Sequence, residues 1–125
     1  MRLSKKQAIF ARNVALLIKY ANSKGYEVTF GDCYRPSFLQ RILIKMGKSW
    51  TMKSQHSKRL AVDLNLFKDG KYLTSSSSHR FLGKEWERLN HYNVWGGRFN
   101  DGNHYEMRHD YPRRELRNGH YSDYL

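Results

Sequence analysis

The 125-residue sequence holds one cysteine, Cys33. That excludes an intramolecular disulfide and any zinc site built from several thiolates. A bound metal must be held by histidines and carboxylates. No apolar run reaches the roughly 18 to 20 residues needed to span a bilayer. Acid is scarce in the first half. Residues 1–60 carry 13 Lys/Arg and 2 Asp/Glu, a net of +11, and residues 61–125 carry 10 and 9, a net of +1. So basic a half implies an anionic partner: nucleic acid, membrane or a polyanionic cell envelope. Charge alone does not choose among them. No export signal is expected either. Arg12 and Asn13 interrupt the apolar middle of the N-terminus, and no small-residue cleavage site follows. The expected place of synthesis is the cytoplasm, without a signal peptide.

What is present fits one globular domain spanning residues 1–125, with 39% hydrophobic and 14% aromatic residues. Ser4-Lys5-Lys6-Gln7 reads as a capping box. Ala8, Ala11, Val14, Ala15, Ile18 and Ala21 then form a helical stripe, closed by Gly25. "YEVTF" (26–30) alternates as a strand does. A second helix is predicted over about Ser37–Met46, closed by Gly47, and the segment 48–59 reads as a loop. "LAVDLNLF" (60–67) is a second strand, and "KDGK" (68–71) signals a tight hairpin. The serine run 75–78 leads into a helix from about His79 to Asn90. "VWGGRF" and "NHYEMRH" read as the last strands, joined by "NDG". The tail after about residue 109 is expected to be poorly ordered or peripheral. Short connections favour antiparallel pairing, so the predicted class is α+β: a small antiparallel sheet with helices on one face.

Asp63 interrupts the apolar run 60–67. Side chains alternate along a strand. Val62, Leu64 and Leu66 fall on the core face; Ala61, Asp63, Asn65 and Phe67 fall on the other. In the last strand His104 and Glu106 share a face, with Tyr105 and Met107 opposite. If these strands are neighbours, Asp63 and His104 converge, and His56 supplies a third donor. Two imidazoles and a carboxylate are a common zinc set, and three protein ligands leave the fourth position for water. Zinc lowers the pKa of that water to about 7. A base must still accept the proton and return it to a leaving amine. Asp101, three residues before His104, is placed for that.

Ser54, His56 and Asp63 resemble the Ser-x-His-(x)6-Asp signature of the LAS metallopeptidases, a group named for lysostaphin, D-alanyl-D-alanine carboxypeptidases and Sonic hedgehog. Asp101 and His104 resemble its acidic residue three before a ligand histidine. "YRP" (34–36) and "WGG" (95–97) are similar to its other elements, and the matches run in family order over about residues 26–107. The likeness is to phage-encoded L-alanyl-D-glutamate endolysins and to D-alanyl-D-alanine carboxypeptidases.

The resemblance implies zinc on His56, Asp63 and His104, with Asp101 as general base. Arg35 would bind a substrate carboxylate, and Ser54 or Gln55 would hydrogen-bond the substrate or the oxyanion. It implies a bacteriolytic peptidoglycan hydrolase acting on stem peptides at the cell wall, most like the endopeptidases, with the carboxypeptidase as the alternative. The basic N-terminal half would hold an anionic envelope, and nothing requires more than a monomer or a nucleic-acid partner. There are departures. Arg59 stands where relatives often have glycine, and is expected to narrow or recharge the cleft. The base is Asp where other members carry Glu, so it must approach more closely. His79, His91, His109 and His120 lack a motif and read as surface; Trp95 reads as core or cleft wall. Two other classes compete: a basic nucleic-acid-binding protein, which leaves the His/Asp constellation unexplained, and a zinc nuclease.

Overall fold

The structure is a computed structural model and describes residues 1–47 and 55–108. Helix α1 (Leu3–Ser23) opens on Arg2 with no side-chain cap. The capping box predicted at Ser4 does not form. Ser4 already lies in the first turn, and Gln7 donates instead to the Lys58 carbonyl, at 2.8 Å. The buried stripe is Phe10, Val14, Leu17 and Ala21. The predicted Val14 and Ala21 belong to it, but Ala8, Ala11 and Ala15 face solvent. Both registers have helical spacing, and the larger side chains won because they remove more apolar area from water. Gly25 follows at φ 87°, as expected.

Strands β1 (Tyr26–Phe30), β2 (Ala61–Lys68), β3 (Lys71–Leu73), β4 (Asn93–Trp95) and β5 (His104–Met107) pair antiparallel throughout. Eight-residue β2 is the axis of the sheet. One edge takes β1; the other takes β5 at residues 61–63 and β3 at residues 66–68. The sheet order is β1-β2-β5-β4. Asp69 and Gly70, both at positive φ, make the β2–β3 hairpin turn. Helix α2 covers Ser37–Lys45. Helix α3 (Arg80–Leu89) fills the helix expected over about His79–Asn90, and the serine run leading into it forms a 3-10 turn at Ser76–His79. "VWGGRF" is a strand only as far as Trp95, since Gly96–Phe99 is a 3-10 turn.

Helices α1 and α3 cover one face of the sheet. Leu60, Val62, Leu64 and Leu66 meet Leu17, Leu82 and Trp86 there, with Tyr105 and Met107 from β5. Phe10 meets Trp86 edge-on, with ring centroids 5.6 Å apart. The opposite face of β2, bearing Asp63, is left for the site.

Candidate metal centre

The β2–β5 register sets Asp63 directly across from His104. His56 arrives from a 3-10 turn, Gln55–Lys58, just before β2. Arg59 joins turn to strand at φ 56°. That conformation favours glycine, a backbone reason for the glycine of relatives. Its guanidinium lies over the Tyr34 ring, 4.0 Å from the centroid, and so packs on a neighbour.

His56 Nε2 lies 3.3 Å from Asp63 Oδ1, and His104 Nδ1 lies 3.2 Å from the same oxygen. The three donor atoms all fall within 4.8 Å of one another. A tetrahedron with bonds near 2.0–2.1 Å has edges of about 3.3 Å. Each imidazole is also oriented from behind. His56 Nδ1 meets the Cys33 carbonyl at 3.2 Å, and His104 Nε2 meets Glu106 Oε1 at 2.7 Å. The nitrogen left facing Asp63 is in each case the one a metal needs. Donor types, spacing and backing all fit zinc.

The electrostatics agree. Burial opposes ionisation of Asp63, but hydrogen bonds and charge from His104 and His56 hold its pKa far below the usual carboxylate range. Burial likewise opposes charge on His104, yet Asp63 and Glu106 raise it to about 10. Glu106 is buried, and despite that burial His104 and Arg108 lower its pKa. Arg108 Nε donates to Glu106 Oε2 at 2.7 Å. The site is therefore a chain of alternating charge, closed on the protein side by Arg108.

Asp101 stands beside this group. Its backbone N–H donates to the Gly96 carbonyl at 2.8 Å, and its own carbonyl accepts from the His104 N–H at 3.1 Å. The residue is exposed, but its carboxyl is partly shielded from water. That shielding raises its pKa, with Asp63 adding to the rise against His104, His56 and Arg35. The "WGG" turn makes the arrangement possible. A Cβ on Gly96 would sit 2.2 Å from the Asp101 carbonyl oxygen and 2.7 Å from His104 Cβ. Trp95 is half-buried and fastens the same loop, its Nε1 donating to the Gly102 carbonyl at 2.7 Å.

Arg35 lies near the centre: its N–H donates to the His56 carbonyl at 3.2 Å. Its guanidinium is shared between Gln40 Oε1, at 3.0 Å, and Asp32 Oδ2, at 3.1 Å. Its Nε is buried without a hydrogen-bond partner, as is Gln55 Oε1. Ser54 lies outside the described residues, as do the tail after residue 109, His109 and His120. His91 is exposed, as expected, but His79 is not a surface residue. It is buried, with Nδ1 2.7 Å from the Tyr105 hydroxyl. Nothing local in the sequence marks His79, because its partner lies 26 residues away. Glu106 was legible through its alternation with His104; the Cys33 carbonyl behind His56 carries no sequence signal.

Residues 47–107 match the family model described as D-alanyl-D-alanine carboxypeptidase. No curated protein matches the chain. Among solved structures, the Serratia marcescens L-Ala D-Glu endopeptidase ChiX is similar with a TM-score of 0.66 and 20% identity, over 78% of this chain and 77% of that one. The vancomycin-resistance D,D-pentapeptidase VanY of the VanB-type cassette, a mutant in complex with Zn(II), has a TM-score of 0.55 and 19% identity, over 78% and 70%. VanYB in complex with D-alanine-D-alanine has a TM-score of 0.54 and 19% identity, over 78% and 68%. The matched segment 47–107 carries the His56–Asp63–His104 group, and the chain shares its α+β fold with these peptidase structures.

Proposed function

We propose that the protein is an endolysin-like peptidoglycan peptidase that hydrolyses the L-alanyl-D-glutamate bond of stem peptides. The observation that carries this is the meeting of His56 and His104 at one oxygen of Asp63, with Asp101 alongside. The fold of the L-Ala D-Glu endopeptidase ChiX supports the choice of bond. The family description and the VanY neighbours support the second reading, a D-alanyl-D-alanine carboxypeptidase.

In the proposed mechanism, His56, Asp63 and His104 would hold zinc, which would supply Lewis acidity when bound. Asp101 would accept a proton from the attacking water and deliver it to the leaving amine. Its raised pKa suits both halves of the task, since a stronger base takes the proton more readily. Arg35 receives a substrate carboxylate. Its present partner Asp32 is mostly exposed, and an exposed ion pair is weak enough to be exchanged for a planar carboxylate. Gln55 Oε1, buried without a partner, accepts from a substrate N–H. The enzyme would act as a monomer at the bacterial wall, with the basic first half held to the anionic envelope. A phage lysis role accounts for both.

The test is a digest of purified peptidoglycan with products identified by mass. The expected result is new D-glutamate N-termini, abolished by a chelator and restored by zinc. Release of free D-alanine alone would establish the carboxypeptidase instead. A wild-type protein that carries no zinc would overturn both. Salt-sensitive DNA binding that survives chelation, without wall digestion, would return the reading to a nucleic-acid-binding protein.

A further inference from the structure

Beside Asp101 the protein has a second, unassigned feature. A cavity of about 210 Å³ opens beside Asp101, walled chiefly by Tyr72, Thr74, Ser76, His79, Asn100 and Asn103. Among the described residues, no hydrogen bond occupies the side chains of Thr74, Asn100 or Asn103. Neither lysine nor arginine is among the described residues that line it, which disfavours an anionic ligand. The walls offer amides and hydroxyls, groups that donate and accept together. Tyr72 adds a half-exposed ring. A ligand rich in hydroxyls and amides, with an apolar face for the ring, is a sugar carrying an acetamido group.

The position matches this chemistry. Asp63, Asn65 and Phe67 share one face of β2. Tyr72 pairs with Phe67 in register, their ring centroids lie 5.2 Å apart, and the Tyr72 hydroxyl is 3.5 Å from Asn65 Oδ1. Tyr72 thus stands on the face of β2 that bears Asp63, while Leu73 and His79 reach the cavity from the core side. Asp63 to Asn65 is two residues, about 7 Å of strand.

In peptidoglycan the L-alanine amine is joined to the lactyl group of N-acetylmuramic acid. Cutting after L-alanine leaves one residue between the broken bond and that group, about 3.5 Å of chain. The sugar then follows directly on that one residue. Cutting before the terminal D-alanine leaves four residues, about 14 Å, and puts the sugar out of reach. We propose that the cavity bounded by Tyr72, Asn100 and Asn103 is a subsite for the N-acetylmuramic acid that carries the stem peptide. This rests on the L-alanyl-D-glutamate reading above and deepens it.

The test compares kcat/KM of the zinc-loaded protein on two substrates. One is the stem peptide capped by N-acetylmuramic acid, and the other is the same peptide capped by acetyl, which removes the terminal ammonium from both. The expected result is at least a tenfold preference for the muramyl peptide. In Asn103→Ala and Tyr72→Ala that preference should shrink about three- to tenfold, the equivalent of a lost hydrogen bond or ring contact. Reading the ratio cancels any general loss of activity, since a purely structural defect lowers both substrates alike. Equal cutting of both substrates by the wild type overturns the subsite and leaves the peptidase reading standing. A preference that survives both substitutions also overturns it. If neither peptide is cut at this bond, the reading falls and the subsite falls with it.

Discussion

Each residue of the centre has a separable task. Asp101 touches neither imidazole ring through its carboxylate in any hydrogen bond, and joins His104 through the backbone. Asp101→Asn should therefore keep zinc at wild-type stoichiometry and lose about 10²- to 10⁴-fold in kcat, measured on a stem peptide. A fully active variant would remove Asp101 from the chemistry. Glu106 acts from behind His104. Glu106→Gln should weaken zinc binding about 10- to 100-fold by competition with a chromophoric chelator, and an unchanged affinity would make Glu106 merely structural. His79 has no such task, but burial lowers its pKa from 6.5 to about 4. The folded state keeps it neutral while the unfolded state protonates below 6.5. Its contribution is full above that value and is lost as pH falls from about 6.5 towards 4. The loss reaches about 3 kcal/mol. Urea midpoints of the zinc-loaded protein at pH 7 and 5 should differ less in His79→Gln than in the wild type. An equal drop in both would refute it.

At the scale of elements, one turn decides whether Asp101 and His104 stand together. Gly96 carries no Cβ where the Asp101–His104 turn packs against it. Gly96→Ala must push backbone rather than a flexible side chain. It should cost about 1–3 kcal/mol in urea denaturation and depress kcat more than KM, since Asp101 moves with the turn. A variant of wild-type stability and activity would mean the turn yields freely. The element pattern was legible where side-chain alternation was strong. In β2 the core set Val62, Leu64 and Leu66 and the outward Asp63 follow from period two alone. Helix α1 was legible in extent but not in phase. Its alanines fit a stripe as well as its larger residues do, and only the sheet beneath it selects Phe10 and Leu17. The turn at Gly96–Phe99 was mistaken for strand because its aromatic and glycine residues carry no unique local preference.

For the whole molecule, metal and fold are coupled. Three donors separated by up to 48 residues in sequence meet at one point, so zinc binds the folded chain and not the unfolded one. At a hundredfold excess over Kd that stabilises by about 2.7 kcal/mol. Chelation should lower Tm by roughly 10 °C, read by circular dichroism. A midpoint indifferent to chelator would mean that zinc does not occupy the centre.

The sequence by itself determined the α+β class, the outward face of Asp63, and that any metal set must be built without several thiolates. These follow from local periodicity and from which side chains exist. Only the tertiary structure decided that β5 lies beside β2, because strand pairing joins segments 41 residues apart and leaves no local mark. It alone supplied the Cys33 carbonyl behind His56, the burial of His79, the stacking of Arg59 on Tyr34 and the cavity beside Asp101. Each depends on distance through space between residues remote in the chain. That distance is set by packing the whole sheet against α1 and α3.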